Sequence, residues 1–257
     1  MITVSKLAKS YRGKPVLQPI SAAIRRSGLT SLIGPNGAGK STLLMLMAGL
    51  LEPSGGEICL DGRPLGDFPP RDYARRVATL RQSSLFDLRL KVEELVAFGR
   101  FPHGRGRLAA ADHEAIDRAL ALLSLEDLRK RYIDELSGGQ RQMALLAMTI
   151  AQETDCLLLD EPLNNLDMQH AVQVMEVLRT LCDSYGRTVV VVIHDINFAA
   201  NYSDHMIALK DGKLVAEGQT GLIVTERHLQ ALYNLDFEIL THGGNRLCNY
   251  FTPRKRI

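Results

Sequence analysis

The stretch Gly34–Ser41 constrains this chain more than any other, because it has the spacing G-x-x-x-x-G-K-S. The apolar run Leu29–Ile33 precedes it and the largely apolar run Thr42–Ala48 follows it, so the pattern predicts a strand, a glycine-rich loop and a helix. Glycines allow backbone N–H groups to turn inward toward an anion, and the helix N-terminus adds the positive end of its dipole. We therefore predict a nucleoside triphosphate site.

The side chains of this loop supply two further groups that a triphosphate site needs. Lys40 is long enough to reach the β- and γ-phosphates, and the Ser41 hydroxyl can ligate Mg²⁺. An ordinary glycine-rich turn is the alternative, but the strand before it and the helix after it favour a phosphate loop. The residues that we expect to contact the nucleotide here are Gly34, Pro35, Asn36, Gly37, Ala38, Gly39, Lys40, Ser41 and Thr42.

Composition narrows the class of protein. Lys and Arg number 31 against 29 Asp and Glu, a net charge of +2, which gives no electrostatic argument for nucleic-acid binding. The four cysteines form no C-x-x-C pair, so disulfide and metal sites are both weak hypotheses and a reducing cytoplasm fits best. The longest apolar runs have the length of buried strands. We expect a soluble chain, so any membrane role would have to come through a partner.

Hydrophobic patterns along the 257 residues predict an α/β chain with a helical insertion. Strands at Ile2–Leu7 and Val16–Ile24 flank a turn at Arg12–Pro15 and form an antiparallel opening. We therefore expect an α/β fold with a phosphate-loop (RecA-like) NTPase core, an antiparallel β subdomain and an inserted helical subdomain. The expected division is residues 1–82 and 153–220 for the nucleotide-binding core, 83–152 for the helical subdomain and 221–257 for a C-terminal extension.

Within the insertion, helical periodicity predicts three helices separated by a basic, glycine-rich loop at Gly99–Arg107. These helices are expected at Val92–Phe98, Asp112–Leu123 and Ser137–Ala151. The elements predicted beyond the insertion are strands at Cys156–Asp160 and Thr188–Ile193, a helix at Asp167–Cys182, a hairpin of His205–Leu209 with Lys213–Glu217, and a helix at Thr225–Tyr233. Residues 235–249 carry no motif that we can interpret.

A second chemical feature is the pair Asp160-Glu161 at the end of the apolar strand Cys156–Asp160. Ligands of an α/β sheet bind at the carboxyl ends of its strands. Adjacent strand residues point to opposite faces, so the two acids can have separate roles. We expect Asp160 to belong to the Mg²⁺ shell and Glu161 to polarise the attacking water as general base. A solvated strand end is the alternative interpretation.

A third feature is the segment Leu136–Gln140, with the sequence Leu-Ser-Gly-Gly-Gln, which we call the signature segment. Ser137 and Gln140 have the spacing of a capping box for the following helix. Gly138 and Gly139 weaken a helix by about 1 kcal/mol each relative to alanine, which makes sense if a ligand approaches the backbone closely. A second anion site and a cap are compatible, and we expect both.

In this order and spacing, the phosphate loop, the signature segment, Asp160-Glu161 and His194 resemble the ATP-binding-cassette (ABC) ATPases, from about Ile2 to Gly218. The resemblance implies that Tyr11 stacks on adenine and that Gln82 touches both Mg²⁺ and the attacking water. It also implies that Asp167 belongs to a loop crossing a dimer interface and that His194 contacts the γ-phosphate. On residue type alone, Tyr11 could be an exposed strand-edge tyrosine, Asp167 a helix N-cap and His194 a structural residue.

The same resemblance implies a homodimer that holds two ATP molecules between its copies. Each ATP would contact Lys40 of one copy and Ser137 and Gly139 of the other, so that ATP joins the copies and hydrolysis releases them. The family also implies integral-membrane permease subunits, a periplasmic substrate-binding protein and a location on the cytoplasmic face of the cell membrane. It implies no nucleic-acid partner.

Two further segments resemble the branch that serves importers of iron-siderophore complexes, haem and cobalamin. They are Gly99–His103 and Pro162–Met168. Arg81 departs from that branch, which usually has proline before the glutamine, and this puts the local loop geometry in doubt. We expect an importer ATPase for a ferric siderophore or a related iron chelate. The alternatives are haem or cobalamin import, a scaffold ATPase of iron–sulfur assembly, and a nucleic-acid-associated cassette, which the net charge disfavours.

Overall fold

The computed structural model describes residues 1–81, 89–104 and 107–251. Its strands are β1 (Ile2–Tyr11), β2 (Lys14–Ile24), β3 (Leu29–Ile33), β4 (Gly55–Leu60), β5 (Arg63–Pro64), β6 (Val77–Leu80), β7 (Cys156–Asp160), β8 (Thr188–Val192), β9 (His205–Lys210), β10 (Lys213–Gln219), β11 (Glu238–His242) and β12 (Asn245–Asn249). Its α-helices are α1 (Lys40–Met47), α2 (Pro70–Ala74), α3 (Val92–Ala97), α4 (Phe101–Gly104), α5 (Ala110–Leu122), α6 (Gly138–Ala151), α7 (Met168–Asp183), α8 (Ile196–Tyr202), α9 (Thr220–Ile223) and α10 (Glu226–Tyr233). None of these described helices is long and apolar enough to cross a membrane.

A six-stranded sheet in the order β10-β9-β3-β8-β7-β6 forms the centre of the molecule. All of its strands are parallel except β10, which pairs antiparallel with β9. Alternate residues of each central strand face two different hydrophobic cores: Leu29 and Ile33 pack on the side of the helical insertion, and Leu32 packs on the side of α1. Strands buried on both faces are continuously apolar, as the run Thr188–Val192 is.

The predicted antiparallel opening is confirmed, with one correction to its turn. Strands β2, β1, β4 and β5 form a four-stranded sheet in that order. The turn contains only Arg12 and Gly13, both in the left-handed region with φ of 48° and 77°, and Tyr11 pairs with Lys14. Two residues with positive φ form the tight hairpin turn whose twist matches the strands. Pro15 is tolerated in β2 because β2 is an edge strand.

The predicted helical insertion lies between the adjacent parallel strands β6 and β7, and its three main helices are α3, α5 and α6. The expected loop at Gly99–Arg107 is wrong as far as Gly104: residues Phe98–Arg100 form a 3₁₀ turn and α4 follows directly. A β-carbon on Gly99 would lie 2.1 Å from the Met148 carbonyl oxygen, so only glycine fits there. Residues 105 and 106 lie outside the described residues.

Charge pairing explains why this basic segment is folded rather than solvated. The Arg100 guanidinium is buried, donates to Asp112 Oδ1 at 2.8 Å and donates to the Ala151 carbonyl at 2.8 Å. The pKa of Asp112 is lowered, first by the backbone N–H of Ala109 and then by Arg100. A buried charge of this kind is retained only where it is paired and hydrogen-bonded. The segment therefore fixes α5 to the end of α6.

The elements that were not predicted from the sequence include α2, α8 and the two-stranded sheet β11–β12. The hairpin β11–β12 turns at Gly243 and Gly244, with φ of 58° and 84°. A Gly-Gly pair between two strand-length runs is a known hairpin signal. The hairpin packs on α8 through the buried residue Cys248.

Candidate functional site

Three chain segments leave the central sheet at one level of its carboxyl edge. Val192 of β8 pairs with Leu32 of β3 on one side and with Asp160 of β7 on the other. The phosphate loop after β3, His194 after β8 and Glu161 after β7 therefore follow three consecutive strands of the sheet. The sheet thus brings together three of the sequence-predicted groups, at the place where α/β sheets bind ligands.

The loop of residues 34–39 requires glycine at its two ends. Gly34 has φ of 139°, and a β-carbon there would lie 2.0 Å from the Leu209 carbonyl oxygen. Gly39 has φ of 97°, and a β-carbon would lie 3.2 Å from the Val16 carbonyl oxygen. The loop is therefore packed between β9 and β2, and its backbone conformation is one that larger residues rarely adopt.

Lys40 begins α1 and is buried. Its ammonium group donates to the carbonyl oxygens of Gly34, at 2.8 Å, and Pro35, at 2.9 Å. Burial lowers the pKa of Lys40, whereas the charges of Glu161 and Asp160 raise it. A cation folded back over its own loop is well placed to turn toward phosphate oxygens that enter the loop.

The two residues predicted to hold Mg²⁺ in this part of the site are in direct contact. The Ser41 hydroxyl donates to Asp160 Oδ1 at 2.8 Å. Asp160 is buried, and this burial raises its pKa, while the Ser41 hydrogen bond opposes the rise. One hydroxyl and one carboxylate are oxygen donors that suit Mg²⁺, which commonly binds through one or two carboxylates together with substrate phosphates. No group of three or more His, Cys, Asp or Glu side chains within the described ranges could hold a metal ion.

Glu161 lies in a geometry that strand alternation did not predict. β7 ends at Asp160, and Glu161 has φ of 52°, so a turn rather than the strand pleat separates the two acids. Glu161 Oε1 is 2.5 Å from Nε2 of His194, and Asn164 Nδ2 donates to Glu161 Oε2. The carboxylate side chain is 11% exposed. It is therefore held at both oxygens and still open to a small molecule.

Sequence reasoning did not assign a role to Asn164, the second contact of Glu161. The Asn164 N–H also donates to the Glu161 carbonyl oxygen at 3.2 Å, which closes the turn after β7. An amide side chain three residues after an acid, in a segment containing proline, is a turn signal that could have indicated this contact. A cavity of about 300 Å³ adjoins Glu161 and His194. It is large enough for water to reach the carboxylate.

The signature segment forms the predicted cap. Ser137 Oγ accepts from the Gln140 N–H at 3.2 Å, and Gln140 Oε1 accepts from the Ser137 N–H at 3.1 Å. A β-carbon on Gly139 would lie 3.4 Å from the Asn165 carbonyl oxygen, so the start of α6 packs against the turn after β7. Among the described residues, no hydrogen bond joins this helix start to the phosphate loop of the same chain.

The remaining predicted site residues have the following positions. Asp167 is the N-cap of α7 and accepts from the His170 N–H at 2.9 Å, so the capping interpretation holds whatever else the residue does. Tyr11 ends β1, is 43% exposed and has the Lys9 ammonium 5.2 Å from its ring centroid. Its ring is therefore available for stacking. Gln82 lies outside the described residues.

Comparison with known proteins shows which proteins this chain resembles in sequence. The family model described as "ABC transporter" matches residues 17–164. The chain is 45% identical to the petrobactin import ATP-binding protein YclP of Bacillus subtilis, over 98% of this chain and 100% of that protein. It is 39% identical to the ferric enterobactin transport ATP-binding protein FepC of Escherichia coli, over 90% of this chain and 86% of that protein.

A solved structure extends the similarity to three dimensions. It is the dimeric post-hydrolysis state of the ATP-binding cassette MJ0796, bound to ADP and inorganic phosphate. The two chains superpose with a TM-score of 0.77 at 27% sequence identity, over 86% of this chain and 99% of the other.

Proposed function

Because this chain belongs to the ABC transporter family and is an ABC-type ATPase, we propose that it powers the import of a ferric siderophore or a related iron chelate. The observation that carries the proposal is the convergence of Lys40, Asp160 and Glu161 at one sheet edge, in a chain that is similar over its whole length to siderophore-import proteins. The energy source is hydrolysis of the β–γ bond of ATP.

The residues of the site divide the reaction between them. The phosphate loop binds the triphosphate through backbone N–H groups, and Lys40 neutralises charge on the β- and γ-phosphates. Glu161 accepts a proton from the attacking water as general base, and His194, now 2.5 Å from Glu161, donates to the γ-phosphate when nucleotide is present. Positioning and charge neutralisation supply most of the acceleration.

Mg²⁺ would be held by Ser41 and Asp160, with Gln82 as a third contributor, and it supplies neutralisation of charge on the β- and γ-phosphate oxygens. The contact between Ser41 and Asp160 supports this assignment, because the two oxygens that would bind Mg²⁺ already lie 2.8 Å apart. Because these residues offer few oxygen ligands, phosphate oxygens of ATP would supply the others, and Mg²⁺ binding by Ser41 and Asp160 would depend on ATP.

Two copies of the chain would share each ATP molecule. Ser137 and Gly139 begin a helix whose N–H groups are a second anion site, and within its own chain this helix start contacts the turn at Asn165. Tyr11 would stack on the adenine, and Asp167 would contact the partner copy. Permease subunits in the membrane would bind the dimer at the cytoplasmic face, and a periplasmic binding protein would deliver the chelate to them.

Separate segments of the chain form the separate parts of the protein. We assign residues 1–82 and 153–220 to the nucleotide-binding core, 83–152 to the helical subdomain that presents Ser137, and 221–257 to a C-terminal extension. The adjacency of β6 and β7 in one sheet supports this division, since the chain between them is an excursion from the core.

The substrate class rests on what the relatives share. Petrobactin and enterobactin name two different ligands, and in both cases the relative serves an import or transport system. Iron chelation is the chemistry common to both. The present chain would therefore serve a permease for such a chelate, while the permease itself supplies the binding pocket.

Uptake of radioactive iron by cells tests this proposal. Cells carrying Glu161→Gln in the chromosomal copy should lose uptake of one ferric siderophore while retaining uptake of iron salts and unrelated siderophores. Loss of haem or cobalamin uptake instead would transfer the role to that substrate. Unchanged uptake of all these compounds, with a defect in iron–sulfur enzymes, would contradict the importer and support a scaffold ATPase.

A further inference from the structure

The C-terminal segment reaches the phosphate loop through one side chain. Tyr233, the last residue of α10, accepts a hydrogen bond at its hydroxyl oxygen from the backbone N–H of Gly34 at 3.2 Å. Gly34 is buried, and its carbonyl oxygen accepts from Lys40 Nζ at 2.8 Å. The first residue of the loop is therefore held from two sides, by the C-terminal helix and by the lysine of the ATP site.

Tyr233 is itself fixed in place. Its ring centroid lies 6.0 Å from that of Phe237, which lies 5.6 Å from that of Tyr250. The next residue, Asn234, ends the helix in the left-handed region with φ of 57°, and Lys210 donates to its side-chain oxygen at 2.8 Å. Burial raises the pKa of Tyr233 to about 12, so its hydroxyl stays neutral at physiological pH. The hydroxyl is thus a fixed, uncharged acceptor for the loop.

A second set of contacts joins the hairpin β11–β12 to α8. Asn201 accepts from the Arg246 N–H at 2.8 Å and donates to the Arg246 carbonyl at 2.8 Å. Asn197 accepts from the Cys248 N–H at 2.7 Å. Residues four apart on a helix rise about 6.0 Å and residues two apart on a strand about 6.8 Å, so the two asparagines match the spacing of the strand edge. They take the place of a neighbouring strand for β12.

Helix α8 follows His194 with one residue between them. That residue, Asp195, is the N-cap of α8 and accepts from the Asn197 N–H at 2.7 Å. Because His194 contacts Glu161 at 2.5 Å, a displacement of α8 would displace the histidine relative to the carboxylate. The C-terminal segment therefore contacts the phosphate loop through Tyr233, and through β12 it contacts the helix that follows His194.

We propose that residues 226–251 form a brace that positions two parts of the ATP site: Tyr233 positions the phosphate loop, and β12, through its hydrogen bonds to Asn197 and Asn201, positions the helix that follows His194. The inference rests on the proposed ATPase function. None of these three side chains touches the reacting atoms, and each acts through a neighbour. The brace gives a role to the C-terminal residues, in which the sequence showed no interpretable motif.

Tyr233→Phe tests the first half of the brace, because it removes one hydroxyl and keeps the ring. The Gly34 N–H then lacks its acceptor, so the loop is less ordered and binding must complete the ordering. We expect the dissociation constant of a fluorescent ATP analogue to rise about 3–10-fold, as for one hydrogen bond. The kcat at saturating ATP should stay within about twofold of the parent. Tyr185→Phe, at a tyrosine 53% exposed, is the matched control and should change neither value.

Asn201→Ala tests the second half and should give the opposite pattern. We expect kcat to fall at least about fivefold, since His194 is less well positioned, with the ATP dissociation constant unchanged. Asn201→Asp keeps the acceptor for the Arg246 N–H and should lie between Asn201→Ala and the parent. All variants are assayed at one temperature, at which circular dichroism shows that each of them is folded.

Two results would overturn the brace: an unchanged ATP dissociation constant in Tyr233→Phe, or an unchanged kcat in Asn201→Ala. The proposed function is judged separately, on the parent protein in the same assays. A parent that binds ATP but does not hydrolyse it contradicts the ATPase proposal, while the binding measurement on Tyr233→Phe still decides the role of Tyr233.

Discussion

The backbone of Glu161 lies in the left-handed region immediately after the last residue of β7, with φ of 52°. This conformation carries strain for a residue with a side chain, and strain of this kind is commonly found at functional sites. Its effect here is to turn the carboxylate toward His194 and Asn164. The turn, rather than strand alternation, separates the role of Glu161 from that of Asp160.

Replacement of Glu161, the proposed general base, should separate ATP binding from turnover. Glu161→Gln keeps the size and the hydrogen-bonding ability of the side chain but cannot accept the proton of the attacking water. We expect kcat to fall by about 10²–10⁴-fold, with the ATP dissociation constant within about twofold of the parent. Glu176→Gln, on the exposed face of α7, is the control. Hydrolysis by Glu161→Gln at the parent rate would mean that Glu161 is not the base.

The buried carboxyl of Asp160 should make stability depend on pH. Burial raises its pKa in the folded protein, whereas in the unfolded chain an aspartate ionises near pH ~3.9. Between the two pKa values the folded protein holds a proton that the unfolded chain has lost, so the free energy of unfolding falls as pH rises through this window. Above this pH window, the folded protein retains the full free-energy cost of a buried, ionised carboxylate.

Asp160→Asn removes this penalty and keeps an acceptor for Ser41. We expect the nucleotide-free variant to have a higher free energy of unfolding than the parent at pH ~7, with the difference shrinking toward pH ~4. Urea unfolding across this pH range measures the difference. Mg²⁺-dependent hydrolysis should be lost. A variant that is less stable than the parent at every pH would show that Asp160 stabilises the fold.

At the residue scale, the sequence predicts positions better than contacts. Ser41 and Asp160 could be paired because each belongs to a motif with a fixed place at a strand end. The sequence indicates a turn near Asn164, but the contact of its amide with Glu161 also depends on the positive φ of Glu161. Tyr233 could not be predicted either, because it reaches Gly34 across 199 residues of chain.

At the scale of single elements, Gly99 controls how closely α6 approaches the 3₁₀ turn before α4. Gly99→Ala places a β-carbon 2.1 Å from the Met148 carbonyl oxygen, so the backbone must shift. We expect a loss of about 1–3 kcal/mol in the free energy of unfolding, as for an overpacked core site. Gly66→Ala is the matched control, because no atom outside its own turn lies within 4 Å of the added carbon. Equal stability of the two variants would contradict this account.

The start of α6 offers a test that separates capping from ligand binding. Ser137→Asp keeps an N-cap acceptor, whereas Ser137→Ala loses it at a cost of about 0.5–2 kcal/mol. If Ser137 also faces a phosphate group, the aspartate should repel it. We therefore expect Ser137→Asp to be as stable as the parent but at least about tenfold less active, and Ser137→Ala to be less stable but more active than Ser137→Asp. Parent activity in Ser137→Asp would leave Ser137 with the capping role alone.

The elements predicted best are those with buried, periodic faces. Helix α7 and strand β8 match their predicted positions within about a residue, because each has a continuous apolar pattern. Helix α8 has only seven residues, and the hairpin β11–β12 is largely exposed, so neither has a strong pattern. The segment Gly99–Arg107 was predicted to be a loop because the pairing of Arg100 with Asp112 depends on tertiary structure.

At the scale of the whole molecule, the account requires two copies. The phosphate loop follows β3 of the central sheet, while Ser137 lies on the helical insertion and caps a helix that contacts the turn at Asn165. A ligand shared between copies would couple ATP binding to movement of attached permeases. The fold of one chain could be predicted from its motifs, whereas pairing of copies entered only through the family.

Sedimentation of mixed variants tests this sharing most directly. Lys40→Ala and Ser137→Asp are each combined with Glu161→Gln, and each protein alone should remain at 28.4 kDa in Mg²⁺ and ATP. When they are mixed, one shared site regains an intact Lys40 and an intact Ser137, so we predict a species of about twice that mass holding one ATP. A mixture that stays monomeric while Glu161→Gln alone dimerises would contradict the claim that each ATP is bound by both copies.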